Sequence, residues 1–331
     1  MPFKTHPLDS RPVPLPVVRS DLWGFYKKLQ RNHWMAEDIR DWPQDVRDWS
    51  DALSAGQRLL ITTILRFLLR GDQIIIENLE HNFVREFPCP EAQLMFAAQT
   101  ENENTHVETY TLVALNLVGG EAGLAELLHD AGPTPDAVAR KEAWAKRWLD
   151  DKQPLEARVI AFMCVEGIFF SASFCAIAWF KAKGLLPALG QSNEYILRDE
   201  GIHVQMGAAL YAACDRPLSY DAIAQIVRAA VEIEKAFARE CLPNPVPELS
   251  ASNLALHIER RADILFELLG LAPLYKTQCP FSHMSTFDAE LKTNFFERAS
   301  TAYAKGYETG PGSSWGGAGA ATIDITAAMD F

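Results

Sequence analysis

Glu103 and His106 stand three residues apart in the stretch Glu103-Asn104-Thr105-His106-Val107-Glu108-Thr109-Tyr110. On a helix, residues three or four apart share a face. A carboxylate and an imidazole therefore point the same way, and the phenol of Tyr110 continues their row one turn later. The same Glu-x-x-His spacing recurs in Arg198-Asp199-Glu200-Gly201-Ile202-His203, while Asp72 and Glu166 are single acids on two other apolar stretches. Each piece has an ordinary explanation. A Glu-x-x-His pair is usually solvated, a lone acid in a helix is often satisfied by a neighbour, and Tyr110 could be core with a bonded hydroxyl. Taken together, two copies and two lone acids on four helical stretches predict a two-metal site inside a helical bundle, next to an oxidisable tyrosine.

The predicted ligands are Asp72, Glu103, His106, Glu166, Glu200 and His203. One acid from each of two helices, with a Glu-x-x-His from each of two others, is the pattern of ferritin-like di-iron and di-manganese carboxylate bundles. Here the first acid is Asp, one carbon shorter than the usual Glu. Charge counting supports the pattern: four carboxylates balance two divalent ions, whereas four acids buried without cations would be costly or would protonate. Oxygen and imidazole donors suit iron or manganese, and the lack of thiolate argues against structural zinc.

The elements that must place these groups are helices. Residues 1–20 read as an irregular arm rich in proline, and a short helix is expected around Asp21 to Gln30. Apolar residues recur at helical spacing from Ser54 to about Phe87, interrupted at Gly71, a weak spot or a close-packing point, and ended by Pro88 and Pro90. Glu91 to Val118 is the next helix, stopped by Gly119-Gly120. A helical connector runs from about Ala122 to Leu149, broken near Gly132-Pro133. Leu155 to Lys183, Asn193 to about Cys214, Ser219 to Cys241 and Ser250 to Gly270 complete the set. No strand alternation and no further repeat is visible. The predicted class is all-α: a ferritin-like bundle with additional helices, over residues 21–305. Thr309 to Ala321 is almost entirely Gly, Ser, Ala and Thr, a composition that buries too little to order itself. The flexible tail of residues 306–331 ends in Thr322 to Phe331, a short acidic and apolar peptide that reads as a docking segment or as simple terminal disorder.

Of the 331 residues, 48 % are hydrophobic, ample for a large core, and the net charge of −12 argues against general affinity for nucleic acid or anionic membranes. None of the six cysteines (Cys89, Cys164, Cys175, Cys214, Cys241, Cys279) forms a C-x-x-C motif. They read as reduced and structural, in a reducing compartment. Met1 to Val18 has no apolar core of a secretory signal. Val159 to Phe180, charged only at Glu166, is long enough to cross a bilayer. It is expected to be a buried central helix, because amphipathic helices flank it.

At this point the sequence resembles the radical-generating small subunit of class I ribonucleotide reductase. The strings that carry the resemblance are Val165-Glu166-Gly167-Ile168-Phe169-Phe170-Ser171, Arg198 to His203, Glu77-Asn78-Leu79 after Asp72, and Asn294-Phe295-Phe296-Glu297. It covers about Trp23 to Tyr303 and includes the final residues. It implies that all six metal positions are filled by the expected types, with two iron ions or, alternatively, two manganese ions. Tyr110 falls on the radical position, about 6 Å along the helix axis from His106. Phe170, Phe174 and Ile196 match the apolar pocket around the radical. Trp34 and Asp199 match a radical-transfer route through His106, with Asp199 orienting the imidazole. Tyr303 matches the tail tyrosine that relays the radical, with Tyr307 a nearby competitor. The resemblance further implies reaction with O2, a homodimer in the cytoplasm, and a large-subunit partner docked through the tail ending at Phe331. That partner would hold the nucleotide site and the redox cysteines. Gln73, where many relatives have a small residue, departs from the pattern. A tyrosine at position 110 disfavours relatives that store the oxidant on a manganese–iron pair. The rival readings are a ferritin-like oxidase or monooxygenase acting on a small apolar substrate, and an iron-storage or structural bundle. Neither has a use for Tyr110, Trp34, Asp199 and the tail together.

Overall fold

The structure is a computed structural model that describes residues 6–129, 136–242 and 249–284, and these hold no strand. Twelve α-helices in chain order account for most of them. Four stretches carry the acids and imidazoles: α3 (Ala55–Asn78), α5 (Pro90–Leu117), α8 (Leu155–Cys164) with its continuation α9 (Ser171–Ala182), and α10 (Pro187–Ala212). Around them lie α1 (Ser20–Arg31), α2 (Trp42–Arg47), α4 (Val84–Glu86), α6 (Gly120–Leu128), α7 (Asp136–Arg147), α11 (Tyr220–Cys241) and α12 (Ala251–Leu268). The α3–α5 and α8–α10 pairs pack side by side, α5 also meets α10, and α1 rides on α5 and α10. On the far side α11 covers α7 and α8, and α12 packs on α9 and α11. The apolar stretch from Leu155 to Ala182 is 94 % buried over its most hydrophobic window. Its length and composition serve this core.

Local chemistry fixes where the helices begin. Ser54 caps α3 through a reciprocal box: its hydroxyl accepts from the Gln57 amide at 3.3 Å, and the Gln57 side chain accepts from the Ser54 amide at 2.8 Å. Pro90 opens α5, where a missing N–H costs nothing. Buried Glu91 in the first turn of α5 accepts from the Val18 amide at 2.7 Å and the Arg19 amide at 3.1 Å, and pairs with Arg11. The irregular arm is pinned there. Pro187 is the first residue of α10, so the helix starts six residues before the expected Asn193. Its free amides are taken by acids of the segment before α3. Asp45 accepts from Ala188 and Leu189 at 2.8 Å each, and Asp48 accepts from Leu186 at 2.9 Å. These bonds lower the Asp45 carboxyl less than burial raises it, and it stands at about 6.

Two helices expected to be continuous are interrupted. Leu79–Phe83 is a π-helical turn between α3 and α4, and Val165–Phe169 is another between α8 and α9. A π-turn inserts one residue and shifts the facing of everything beyond it. Hydrophobic spacing could not reveal the second one, because the stretch is apolar all round. The interruption at Gly71 is a close-packing point: a Cβ there would lie 3.0 Å from the ring of Phe170.

Candidate metal centre

Each bundle stretch delivers its acid to one place. Asp72 comes from α3, Glu103 and His106 from α5, Glu166 from the π-turn, and Glu200 and His203 from α10. All six are at most 1 % exposed. Their donor atoms fall into two groups that share Glu103: Asp72, Glu103 and His106 in one, and Glu103, Glu166, Glu200 and His203 in the other. Within each group all donor atoms lie within 4.8 Å of one another. Glu200 also reaches both imidazoles, with Oε1 3.2 Å from His106 Nδ1 and Oε2 3.4 Å from His203 Nδ1.

Two kinds of observation test whether metal ions fit. Both oxygens of Asp72, one oxygen each of Glu103, Glu166 and Glu200, Nδ1 of His106 and both nitrogens of His203 are buried without a hydrogen-bond partner. Buried polar atoms are rarely left unpaired, and so many converging on one point are what cations would satisfy. The second is electrostatic. Burial, then the neighbouring Glu103 for Asp72 and Glu200 for Glu166, raises both of these carboxyls well above their usual range. Burial alone would lower the two imidazoles, but the surrounding carboxylates outweigh it and raise both. Without cations the cluster therefore holds protons. Two divalent ions would replace them.

Gln99, absent from the sequence-based set, belongs to the centre. One turn before Glu103, it is fully buried, and its amide donates to Glu166 Oε1 at 2.7 Å and Glu103 Oε1 at 3.2 Å. It fixes two of the carboxylates from behind. Its i, i+4 spacing to Glu103 was the available signal, but a buried glutamine on a helix has no fixed meaning without a partner in view.

Trp34 and Asp199 meet at the cluster's edge. The indole Nε1 of Trp34 donates to Asp199 Oδ2 at 2.7 Å, and the same oxygen lies 3.4 Å from His106 Nε2. Trp34 also stacks near His106, with ring centroids 6.1 Å apart. Trp34 is 5 % exposed and the next residue, Met35, is 52 % exposed. The run therefore begins one residue from the surface and ends at a metal-facing imidazole. Tyr110 is buried on α5 one turn beyond His106. Burial first, then the charges of Asp72, Glu200 and Glu103, keeps its phenol proton well above the usual range. Phe170 and Phe174 stack with centroids 5.6 Å apart, and Phe67 packs against Phe170 at 5.3 Å. Ile196 is buried on α10. Phe170 and Phe174 follow Glu166 across the π-turn, and all three apolar residues are in the core. Gln73 is exposed, unlike buried Asp72 beside it, which is why it can differ next to a ligand. None of the six cysteines is in a disulfide, and five of them are buried. Asn294 to Glu297, Tyr303, Tyr307 and the tail 306–331 lie outside the described residues.

A set of packed helices that aims four carboxylates and two imidazoles at a buried point defines a ferritin-like di-metal carboxylate protein. Similarity to known proteins narrows the class further. The family model described as "Ribonucleotide reductase, small chain" matches residues 13–280. The ribonucleoside-diphosphate reductase small chain of Plasmodium falciparum is 38 % identical over 290 residues, 88 % of this chain and 82 % of that one. Its counterpart in Nicotiana tabacum is also 38 % identical over 290 residues, 88 % of this chain and 87 % of the other. The solved ribonucleotide reductase Rnr4 homodimer from Saccharomyces cerevisiae superposes with a TM-score of 0.76 at 26 % identity, covering 89 % of this chain and 90 % of the other. The chain belongs to the ribonucleotide reductase small-chain family, and is a small subunit of the class I enzyme, an oxidoreductase.

Proposed function

We propose that this subunit generates a radical on Tyr110 and delivers it through Trp34 to a large subunit. Asp72, Glu103, His106, Glu166, Glu200 and His203 hold two metal ions, iron with manganese as the alternative. The chemistry such a pair supplies on reaction with O2 is one-electron oxidation. The chain's own residues do the rest. Tyr110 is kept neutral at rest by its raised phenol pKa, so losing an electron also requires losing a proton. Of the acids that act on the phenol, Asp72 has the largest influence, and it is the group assigned to take that proton. Phe170, Phe174 and Ile196 keep water from the resulting radical. Gln99 holds Glu103 and Glu166 in place.

The observation that carries this reading is the hydrogen-bonded run Trp34–Asp199–His106. A storage shell or an oxidase acting on a small apolar substrate has no need of a conduit from the metals to the surface. A subunit that exports an oxidising equivalent does. Tyr303 would continue the relay, and the tail ending at Phe331 would dock the large subunit, with 306–331 as tether and 21–305 as the di-metal domain. Two copies would pair, as in the Rnr4 homodimer, and work in the cytoplasm, where the cysteines stay reduced.

The test is electron paramagnetic resonance of metal-free protein loaded with Fe(II) and exposed to O2. The expected result is a tyrosyl signal in the wild type that is absent in Tyr110→Phe at equal metal content. A signal that survives in Tyr110→Phe contradicts the assignment.

A further inference from the structure

Glu166 stands in a turn whose backbone is not self-sufficient. The carbonyls of Gly167, Ile168 and Phe169 each accept from a side chain: Arg261 Nε of α12 at 3.2 Å, Ser171 Oγ at 2.6 Å and Lys141 Nζ of α7 at 2.7 Å. Just beyond, the Ala172 amide donates to Glu234 Oε1 of α11 at 3.0 Å. Lys141 and Glu234 are themselves paired at 2.6 Å, with side chains 1 % and 0 % exposed. The ammonium lies 3.8 Å from the ring centre of Phe67 and 3.4 Å from that of Phe237.

A fully buried Lys–Glu pair is a poor device for stability alone, because desolvation offsets the attraction and apolar side chains would fill the space as well. Its position gives it a different use. Lys141 holds the last carbonyl of the π-turn and Glu234 holds an amide of the first turn of α9, so the pair spans the junction between them. Phe170, the residue at that junction, packs against Gly71 beside Asp72. A π-turn places one more residue in the helix than an α-turn does. If it relaxed, Glu166 would rotate away from Glu200 and His203.

We propose that Lys141 and Glu234 are positioning residues that lock the π-turn in the register aiming Glu166 at the metal position it shares with Glu103, Glu200 and His203. This rests on the reading of Glu166 as a ligand, so the test has two arms. The first needs no metal: amide hydrogen exchange of the metal-free full-length chain, wild type against Lys141→Met. Exchange is expected to quicken at residues 166–173, with α5 and α10 as protected as in the wild type. The second is anaerobic Fe(II) titration. Lys141→Met should bind one ion with wild-type affinity and the other roughly 10–100-fold more weakly, as when a ligand loses its supporting partner. Unchanged exchange at 166–173, exchange rising equally through all helices, or equal weakening of both ions would each overturn the proposal. Should Lys141→Met not fold, Glu234→Gln carries the same comparison, with a smaller effect because its amide oxygen still accepts from Ala172. A wild type that binds fewer than two ions would instead count against the metal reading, and the exchange arm would still decide whether the pair sets the turn.

Discussion

Asp72 has two buried oxygens and no hydrogen-bond partner for either, and its neighbours in the centre are little better served. Protons are what balance the charge when no ion is bound, on Asp72, Glu166, His106 and His203, all raised above their usual values. The sign follows directly. Metal loading removes those protons, so affinity should rise with pH and fall as pH drops and the ligands compete for protons. Calorimetric titration at neutral pH in buffers of different ionisation enthalpy should register net proton release per chain. A buffer-independent heat would contradict this account of the apo cluster. The types and spacing of the six ligands were legible in the sequence because helical periodicity turns spacing into facing. Lys141, Glu234 and Arg261 were not, because each acts across tens of residues on a partner that only the fold brings near, and the local spacing of Gln99 to Glu103 gains its meaning only from distant Glu166.

The helices themselves show where pattern reading reaches its limit. Amphipathic α11 and α12 lie within a residue or two of their expected bounds, since one apolar face against solvent has a clear period. The buried stretch 155–182 has apolar residues on every side, and nothing in it marks the π-turn that carries Glu166. Gly71 reads equally as a weak spot or as a close-packing point, and the ring of Phe170 against it shows which. Alanine at Gly71 would gain up to about 1 kcal/mol of helix propensity. Its Cβ, however, would sit 3.0–3.1 Å from a ring that is 1 % exposed, and such overpacking typically costs about 1–3 kcal/mol. Denaturant titration should therefore show Gly71→Ala destabilised by roughly 1–2 kcal/mol. Gly56→Ala on the same helix, where nothing lies within 4 Å, should lose nothing. Equal behaviour of the two variants would mean Phe170 is free to move, and the pocket beside Asp72 is looser than described.

For the whole molecule, the bundle gives a fixed frame for oxidation chemistry, and the product of that chemistry must leave it. Class and family were legible from the paired Glu-x-x-His motifs and the strings around Glu166 and Glu200, and the fold and the relatives agree with both. The tail is a matter of composition, a Gly- and Ser-rich tether before Thr322 to Phe331. Deleting residues 322–331 should abolish binding to the large subunit while leaving the Tyr110 radical intact. Unchanged affinity in a sedimentation or surface-binding assay would remove the tail from the docking role. Underlying all of this is the claim that Glu103 is shared between two ions. X-ray absorption on the Fe(II)-loaded protein addresses it most directly: two ions per chain about 3.5–4 Å apart, in mixed oxygen and nitrogen coordination, is the expected result. A single ion, or two with no short metal–metal vector, would contradict it.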